Sequence, residues 1–395
     1  MRDSKSVVLK SGKDQSVKRF HPWIFSGAIK KIYGEPQEGD LVEVYSNKEE
    51  LLGVGHYQVG SIAVRIVSFD NVQPDYNWWK KKIEDAFQLR LELGLTANEL
   101  TNVYRLVNAE GDGMPGLIID HYNGHLVMQM HSVGFYKMRT VLADILREIY
   151  GTALKSIYDK SEGTLPYKAD IQPKNEILYG KETSETVTEY GLKFKVDWQD
   201  GQKTGFFIDQ RENRKLVENY SRNRRVLNMF CYTGGFSVYA LQGGASQVHS
   251  VDSSAKATEL TDENIKLNFE NEHRHKTITT DAFDYLNNMQ EEYDLIILDP
   301  PAFAKHQNVL SNALQGYKRL NCKALMQIKP QGILFTYSCS QVVSKENFRK
   351  AVFAASANAG RKVKILHQLT QPPDHAVSIF HPEGEYLKGL VLYVE

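Results

Sequence analysis

At 395 residues the chain is long for one ordinary domain and points to two or three. Its 42% hydrophobic and 24% charged content is that of a soluble globular protein, and without a low-complexity tract or an apolar run of bilayer length it excludes fibrous, disordered and membrane-spanning classes. Lysine plus arginine and aspartate plus glutamate both number 48, so overall charge selects no polyanionic partner, while three cysteines without metal-ligand spacing exclude a disulfide scaffold and a structural zinc site.

The opening Met-Arg-Asp-Ser-Lys-Ser lacks the apolar core of a secretory signal, so a cytoplasmic protein is expected. Residues 1–31 hold eight basic side chains (Arg2, Lys5, Lys10, Lys13, Lys18, Arg19, Lys30, Lys31) against Asp3 and Asp14, a local excess of six. Interleaved with His21, Trp23 and Phe25, they suit two readings: a surface that tracks a phosphate backbone and stacks bases, or a solvated basic arm. Strand-like runs at 41–45, 51–57 and 62–69, separated by short turns, predict a small β module. Residues 70–76, with Pro74, read as a linker.

Apolar positions at helical spacing predict a helix over 78–93. A hairpin follows: 104–109, a turn from Glu110 to Gly116, 117–122, Asn123-Gly124, and 125–131, because Asn-Gly between apolar runs is a strong hairpin signal. Glu110 and Asp112 read as residues serving that turn. A helix over 135–150 and strands near 155–159 and 185–198 complete a second, α+β unit.

From 226 onward strands and helices alternate: strands at 226–230, 247–252, 276–280, 293–299, 332–337, 363–369 and 389–394, with helices near 236–242, 253–268, 282–290, 311–328 and 345–359. This pattern predicts a doubly wound α/β sheet. The last strand follows a long loop with no room for a crossover helix, so it is expected to insert antiparallel.

The first strand of this sheet ends in Phe230-Cys231-Tyr232-Thr233-Gly234-Gly235, and Asp252 ends the second, where nucleotide-binding folds place the carboxylate that grips ribose. The loop lacks the Gly-x-Gly-x-x-Gly fingerprint that lets a backbone approach a pyrophosphate, which turns the reading from NAD toward S-adenosylmethionine. The third strand ends near Asp281 and the fourth at Asp299-Pro300-Pro301-Ala302-Phe303. The proline pair removes backbone donors and would hold Asp299 and the following carbonyls as fixed acceptors for a nucleobase edge. The fifth ends in Ser338-Cys339-Ser340. A thiol there is either a small core hydrophobe or the nucleophile that methylation of carbon 5 of cytosine requires, since that carbon becomes nucleophilic only after attack at carbon 6. Cys231 and Cys322 read as structural. Residues 200–211, including Phe206, Phe207, Asp209 and Arg211, suit either a flap over a cofactor or a turn entering a helix. The polar loop 371–388 is a candidate for substrate specificity, with His375 expected at the surface.

The motifs His-Pro-Trp-Ile-Phe (21–25), Glu-Gly-Asp-Gly-Met-Pro-Gly-Leu-Ile-Ile-Asp (110–120), Gly-Gln-Lys-Thr-Gly-Phe-Phe-Ile-Asp-Gln-Arg (201–211), Asp-Pro-Pro-Ala-Phe (299–303) and Ser-Cys-Ser (338–340) resemble those of the bacterial 23S ribosomal RNA large-subunit methyltransferase I family, across essentially the whole chain. The resemblance implies a PUA-like RNA-binding domain at 1–75, a central α+β domain at 76–197, and at 198–395 a class I, Rossmann-like, seven-stranded methyltransferase domain using S-adenosylmethionine to make 5-methylcytosine. It implies Cys339 as nucleophile and Asp299 as the group holding the flipped cytosine, with Pro300, Pro301 and Phe303 beside the base and Lys18, Arg19 and Trp23 on the RNA. Cofactor contacts would come from Phe207, Asp209, Phe230, Tyr232, Thr233, Gly234, Asp252, Ser253, Asp281, Ala282 and Asp299, without a metal. A homodimer is compatible with the resemblance. The Asp-Pro-Pro-Ala-Phe motif lacks the second cysteine that other RNA cytosine methyltransferases carry, so release must proceed with Cys339 alone. Methylation of a guanine or adenine nitrogen and a non-catalytic ribosomal RNA assembly factor remain the alternatives.

Overall fold

The computed structural model describes residues 4–166, 171–181 and 186–395; Arg2 and Asp3, named above, and residue 185, the first of the strand expected over 185–198, lie outside them. The chain divides into two compact units, one of residues 1–188, 196–206 and 373–384, the other of 189–195, 207–372 and 385–395. No helix among the described residues is long and apolar enough to cross a membrane.

The first unit holds two sheets. In the six-stranded one the order is Trp23–Phe25, Ile62–Ser68, Leu51–Tyr57, Leu41–Tyr45, Ser6–Leu9, Ile29–Tyr33. Val7, Leu9, Val42, Val44, Val64 and Ile66 close its core. From residue 4 the basic N-terminal segment is folded into this sheet and is not a free arm, although its charges stay solvated: Val7 and Leu9 are fully buried while Lys30 and Lys31 are exposed on their strand. The five-stranded sheet runs Glu176–Gly180, Ser156–Asp159, His125–Met130, Leu117–Tyr122, Val103–Asn108, with helices Tyr76–Glu92 and Arg139–Tyr150 supplying its apolar cover. Asp112 serves structure as expected: it pairs in bidentate fashion with the buried Arg90 at 2.6 and 2.9 Å and accepts from Asn108 N at 2.6 Å. Arg90 also donates to the carbonyl of Asp374 at 2.6 Å, and Asp374 Oδ2 accepts from Arg105 N at 3.0 Å. This anchoring corrects the surface placement of His375, which is 2% exposed with Nδ1 3.3 Å from Asp374 Oδ1.

The second unit is built on a seven-stranded sheet: β1 (Arg225–Met229), β2 (Gln247–Asp252), β3 (His275–Thr279), β4 (Tyr293–Leu298), β5 (Ile328–Ser338), β6 (Val363–Leu369) and β7 (Lys388–Val394), in the order β3-β2-β1-β4-β5-β7-β6. The first five strands are parallel, and β7 pairs antiparallel with both β5 and β6, as the missing crossover helix required. Its helices are α1 (Arg211–Tyr220), α2 (Gly235–Gln242), α3 (Ala255–Asn268), α4 (Ala282–Asn288), α5 (Leu310–Gln327) and α6 (Lys345–Ala359). β1 and β4 are central, and Leu227, Met229, Leu295, Ile296, Ile297 and Leu298 are all fully buried. A continuous apolar run buried on both faces is what a central parallel strand requires. The order reverses between β1 and β4, so the carboxyl ends of these strands open the crevice in which such folds bind ligands.

Candidate active site

Sequence forces the loop after β1 into a tight shape. Phe230, Tyr232 and Gly234 all adopt left-handed backbone angles, with φ of 59°, 46° and 75°. The two non-glycine residues each cost on the order of 1–3 kcal/mol in that region, strain typical of functional loops. At Gly234 a side chain is excluded twice, by φ and because a Cβ would lie 2.5 Å from Thr261 Cγ2. The loop is held from α3: Thr261 Oγ1 donates to Tyr232 O at 2.9 Å and Asn264 Nδ2 to Thr233 O at 2.8 Å.

Asp252 stands at the end of β2 beside this loop. Its Oδ2 accepts from Tyr232 N and its Oδ1 from Ser254 N, both at 3.0 Å, which fixes the carboxylate while leaving lone pairs for diol hydroxyls. Ser253 follows it and is exposed. Asp281 caps α4 through Oδ1, accepting from Phe283 N at 2.8 Å and Asp284 N at 3.1 Å, with Ala282 as the first helical residue. Phe207 packs edge-on to Tyr232 at 5.1 Å between centroids. Arg214 Nη1 donates to Phe207 O at 2.8 Å, and Asp209 Oδ2 accepts from Tyr386 OH at 2.7 Å.

At the β4 and β5 ends, Cys339 Sγ lies 4.0 Å from the carbonyl oxygen of Pro300, so the thiol and the Asp299-Pro300 edge share one site. Asp299 Oδ2 accepts from Gln210 Nε2 at 2.9 Å, and Gln210 Oε1 in turn accepts from Asn213 Nδ2 at 2.5 Å. Pro301 is exposed, whereas Phe303 packs on Tyr317 at 4.6 Å and crowds Gly316. Tyr317 OH accepts from Ser338 Oγ at 2.9 Å, and burial pushes its pKa up to about 12. Burial likewise pushes the Cys231 thiol up to about 12. Cys231 is thus neutral and inert, in keeping with its structural reading.

Lys18, Arg19 and Trp23 belong to the other unit. Lys18 is paired with Glu50 at 2.7 Å and Asp14 at 3.1 Å, Arg19 is exposed, and Trp23 Nε1 donates to Glu110 Oε1 at 2.8 Å. Trp23 lines a groove of about 350 Å³ with Lys13, Ser16 and Phe25.

Four residues at the second unit's site were given no individual role in the sequence reading: Gln210, Tyr317, Tyr386 and Lys388, the last two within the loop 371–388 singled out for specificity. Gln210 lies inside a motif already singled out, so its position was visible and its partner was not. Lys388 reaches the site only through the antiparallel register that sets it opposite Ser338.

The donor set fits S-adenosylmethionine. Residues 230–235 contain no basic residue to meet a pyrophosphate, the half-buried aromatics Phe207, Phe230 and Tyr232 offer apolar walls, and Asp209, Asp252, Asp281 and Asp299 complement a nucleoside that carries positive charge.

Comparison with known proteins agrees. A family of S-adenosylmethionine-dependent methyltransferases matches residues 166–379, and a PUA-like domain family matches residues 7–69. The ribosomal RNA large subunit methyltransferase I of Tolumonas auensis is 40% identical over 98% of this chain and 99% of its own length, and that of Aeromonas hydrophila 38% over the same shares. Among solved structures, an S-adenosylmethionine-dependent methyltransferase from Streptococcus mutans superposes with a TM-score of 0.84 at 24% identity, covering 98% of this chain and 99% of that one. A methyltransferase in complex with S-adenosylhomocysteine superposes with a TM-score of 0.85 at 24% identity and the same coverage. These two show the fold. S-adenosylmethionine is the cofactor, and the chain belongs to the ribosomal RNA large subunit methyltransferase I family.

Proposed function

We propose that the chain methylates carbon 5 of a cytosine in 23S ribosomal RNA through a transient covalent bond to Cys339. The observation that carries this reading is the 4.0 Å approach of Cys339 Sγ to Pro300 O, which seats a thiol beside fixed acceptors. A cytosine taken out of the stack would offer its exocyclic amine to Asp299 and the following carbonyls, with carbon 6 toward the sulfur. Gln210 orients Asp299 for that contact. Asp252 would hold the cofactor's ribose, Asp281 its adenine through Oδ2, and Phe207, Phe230 and Tyr232 its apolar faces, with Asp209, Thr233, Gly234, Ser253 and Ala282 completing the pocket. When bound, S-adenosylmethionine supplies an electrophilic methyl group on sulfur.

Cys339 acts as the nucleophile. Its sulfur electron pair forms the bond to carbon 6, and the displaced ring electrons make carbon 5 nucleophilic. After carbon 5 has taken the methyl group it loses its proton, and the carbon–sulfur bond breaks as the ring regains its double bond. No metal enters this scheme, and the protein's contribution is alignment and charge. Lys18, Arg19 and Trp23 are proposed RNA contacts of the PUA-like domain.

Digestion of RNA methylated in vitro tests the reading. Wild type is expected to yield 5-methylcytidine and Cys339→Ala none. A methylated purine, or methylation that survives Cys339→Ala, would sink it.

A further inference from the structure

Pairing of β7 with β5 sets Lys388 opposite Ser338, one residue before Cys339. The lysine is 5% exposed and has no carboxylate partner among the described residues; its ammonium donates to the carbonyl of Ser340 at 2.5 Å. The thiol-bearing residue thus lies between Ser338, which pairs with the lysine's backbone, and Ser340, whose carbonyl holds its ammonium. A buried cation without a carboxylate in contact is costly, and Glu385, itself paired with Lys345, is a weaker influence on it than Cys339. Burial lowers the Lys388 pKa to about 8, and the largest influence opposing it is the negative charge of Cys339.

The other charged groups here do not take over this role. Lys345, at the start of α6, is spent on Glu385 at 2.7 Å. Asp299, at the end of β4, carries a negative charge, which by itself works against a second anion at Cys339. Tyr317 on α5 is kept neutral by burial.

We propose that Lys388 is the positioning residue that holds Cys339 as a thiolate, as an ammonium–thiolate pair built across β5 and β7. The thiol gives its proton to solvent, and the sulfur keeps the electron pair that attacks carbon 6. The same charge serves release: when the carbon–sulfur bond breaks, the pair returns to a sulfur beside an ammonium, and a stabilised thiolate is the better leaving group. This accounts for release in a chain whose Asp-Pro-Pro-Ala-Phe motif carries no second cysteine. The inference rests on the reading of Cys339 as nucleophile.

Alkylation of the full chain by iodoacetamide over pH 5–10, followed at the Cys339 peptide by mass spectrometry, tests the pair without RNA or cofactor. Wild-type Cys339 is expected to react with an inflection about one pH unit or more below the ordinary thiol value of about 8.5. Lys388→Met and Lys388→Gln, checked for folding by thermal melting, should move it up by a similar amount. A wild-type inflection at or above about 8.5 overturns the proposal whether or not either variant folds. So does a folded variant whose profile superposes on wild type. Because product analysis reads the reaction and alkylation reads the thiol, failure of one is distinguishable from failure of the other.

Discussion

Asp281 shows how much one side chain carries. Its Oδ1 caps α4, while Oδ2 accepts no hydrogen bond from the described residues, and the proposed function gives that oxygen the adenine amino group. The two roles separate by substitution. Asp281→Ser keeps a capping oxygen, so stability should hold while S-adenosylmethionine affinity, read by calorimetry, falls about tenfold, roughly the worth of one hydrogen bond to a charged group. Asp281→Ala should lose that affinity and also about 1 kcal/mol in urea unfolding. Unchanged affinity in both would remove Asp281 from the pocket. From sequence a cofactor contact is expected at this position and the cap is not, although an acid at a strand's carboxyl end just before a helix is a signal for either purpose.

At the scale of elements, α1 is the instructive case. Its buried face consists of Arg211, Asn213, Arg214 and Val217, three of them polar, so apolar periodicity could not reveal it. Arg214 is held by Glu189 through two bonds of 2.8 and 2.7 Å, Glu189 accepts from Tyr239 OH at 3.0 Å, and the guanidinium stem sits so close to α2 that a Cβ on Gly235 would lie 2.9 Å from Arg214 Cδ. Breaking a buried pair of this kind strands a charge. Glu189→Gln is expected to destabilise the chain by about 3–5 kcal/mol in chemical unfolding, and a loss below 1 kcal/mol would contradict the account.

Elements with an apolar signal were legible from sequence. The seven strands of the methyltransferase sheet fall where hydrophobic runs put them, and α6 spans 345–359 as read. Elements without that signal were not. Ser6–Leu9 and Trp23–Phe25 are only four and three residues long, Ile29–Tyr33 carries Lys30 and Lys31, and partners distant in sequence give all three their strand character, as with the parallel pairing of Ser6 to Glu43. The run expected over 185–198 is two strands, Thr186–Glu189 and Leu192–Lys195, because Tyr190 and Gly191 turn left-handed at φ 48° and 81°. A residue followed by glycine between alternating runs was a hairpin signal available for that turn. The helix expected over 135–150 is also two, Val133–Lys137 and Arg139–Tyr150. The site divides along the same line: strand-end residues were readable, whereas Gln210 and Lys388 depend on pairings that only the folded chain makes.

Across the whole molecule, buried histidines set the response to acid. His56 is 2% exposed between Trp79 and Phe135, and burial lowers its pKa to about 4; His275 is lowered to about 4 for the same leading reason, in a polar chain running through Ser250 and Ser237 to Asn228. A histidine whose folded pKa lies below its unfolded value of about 6.5 stays neutral while the unfolded chain takes up a proton. Its contribution to stability is complete above about pH 6.5 and is lost as pH falls toward 4. Asp159, raised by burial to about 6, works in the opposite sense, one group against four, since burial also lowers His121 and His131 to about 4. Thermal midpoints should therefore fall steadily between pH 6.5 and 4.5, and His275→Gln should make that slope shallower. A midpoint unchanged over the interval would contradict the assignment.

The central claim is that Cys339 bonds to the base it helps to methylate. Intact mass under denaturing conditions, after incubation with S-adenosylmethionine and ribosomal RNA carrying 5-fluorocytosine, reads that bond directly. Fluorine on carbon 5 cannot leave as a proton, so the reaction should stop at a covalent protein–RNA adduct in wild type and form none with Cys339→Ala. Absence of an adduct in wild type, with ordinary RNA still methylated by Cys339→Ala, would contradict the account and assign the methyl group to a nitrogen.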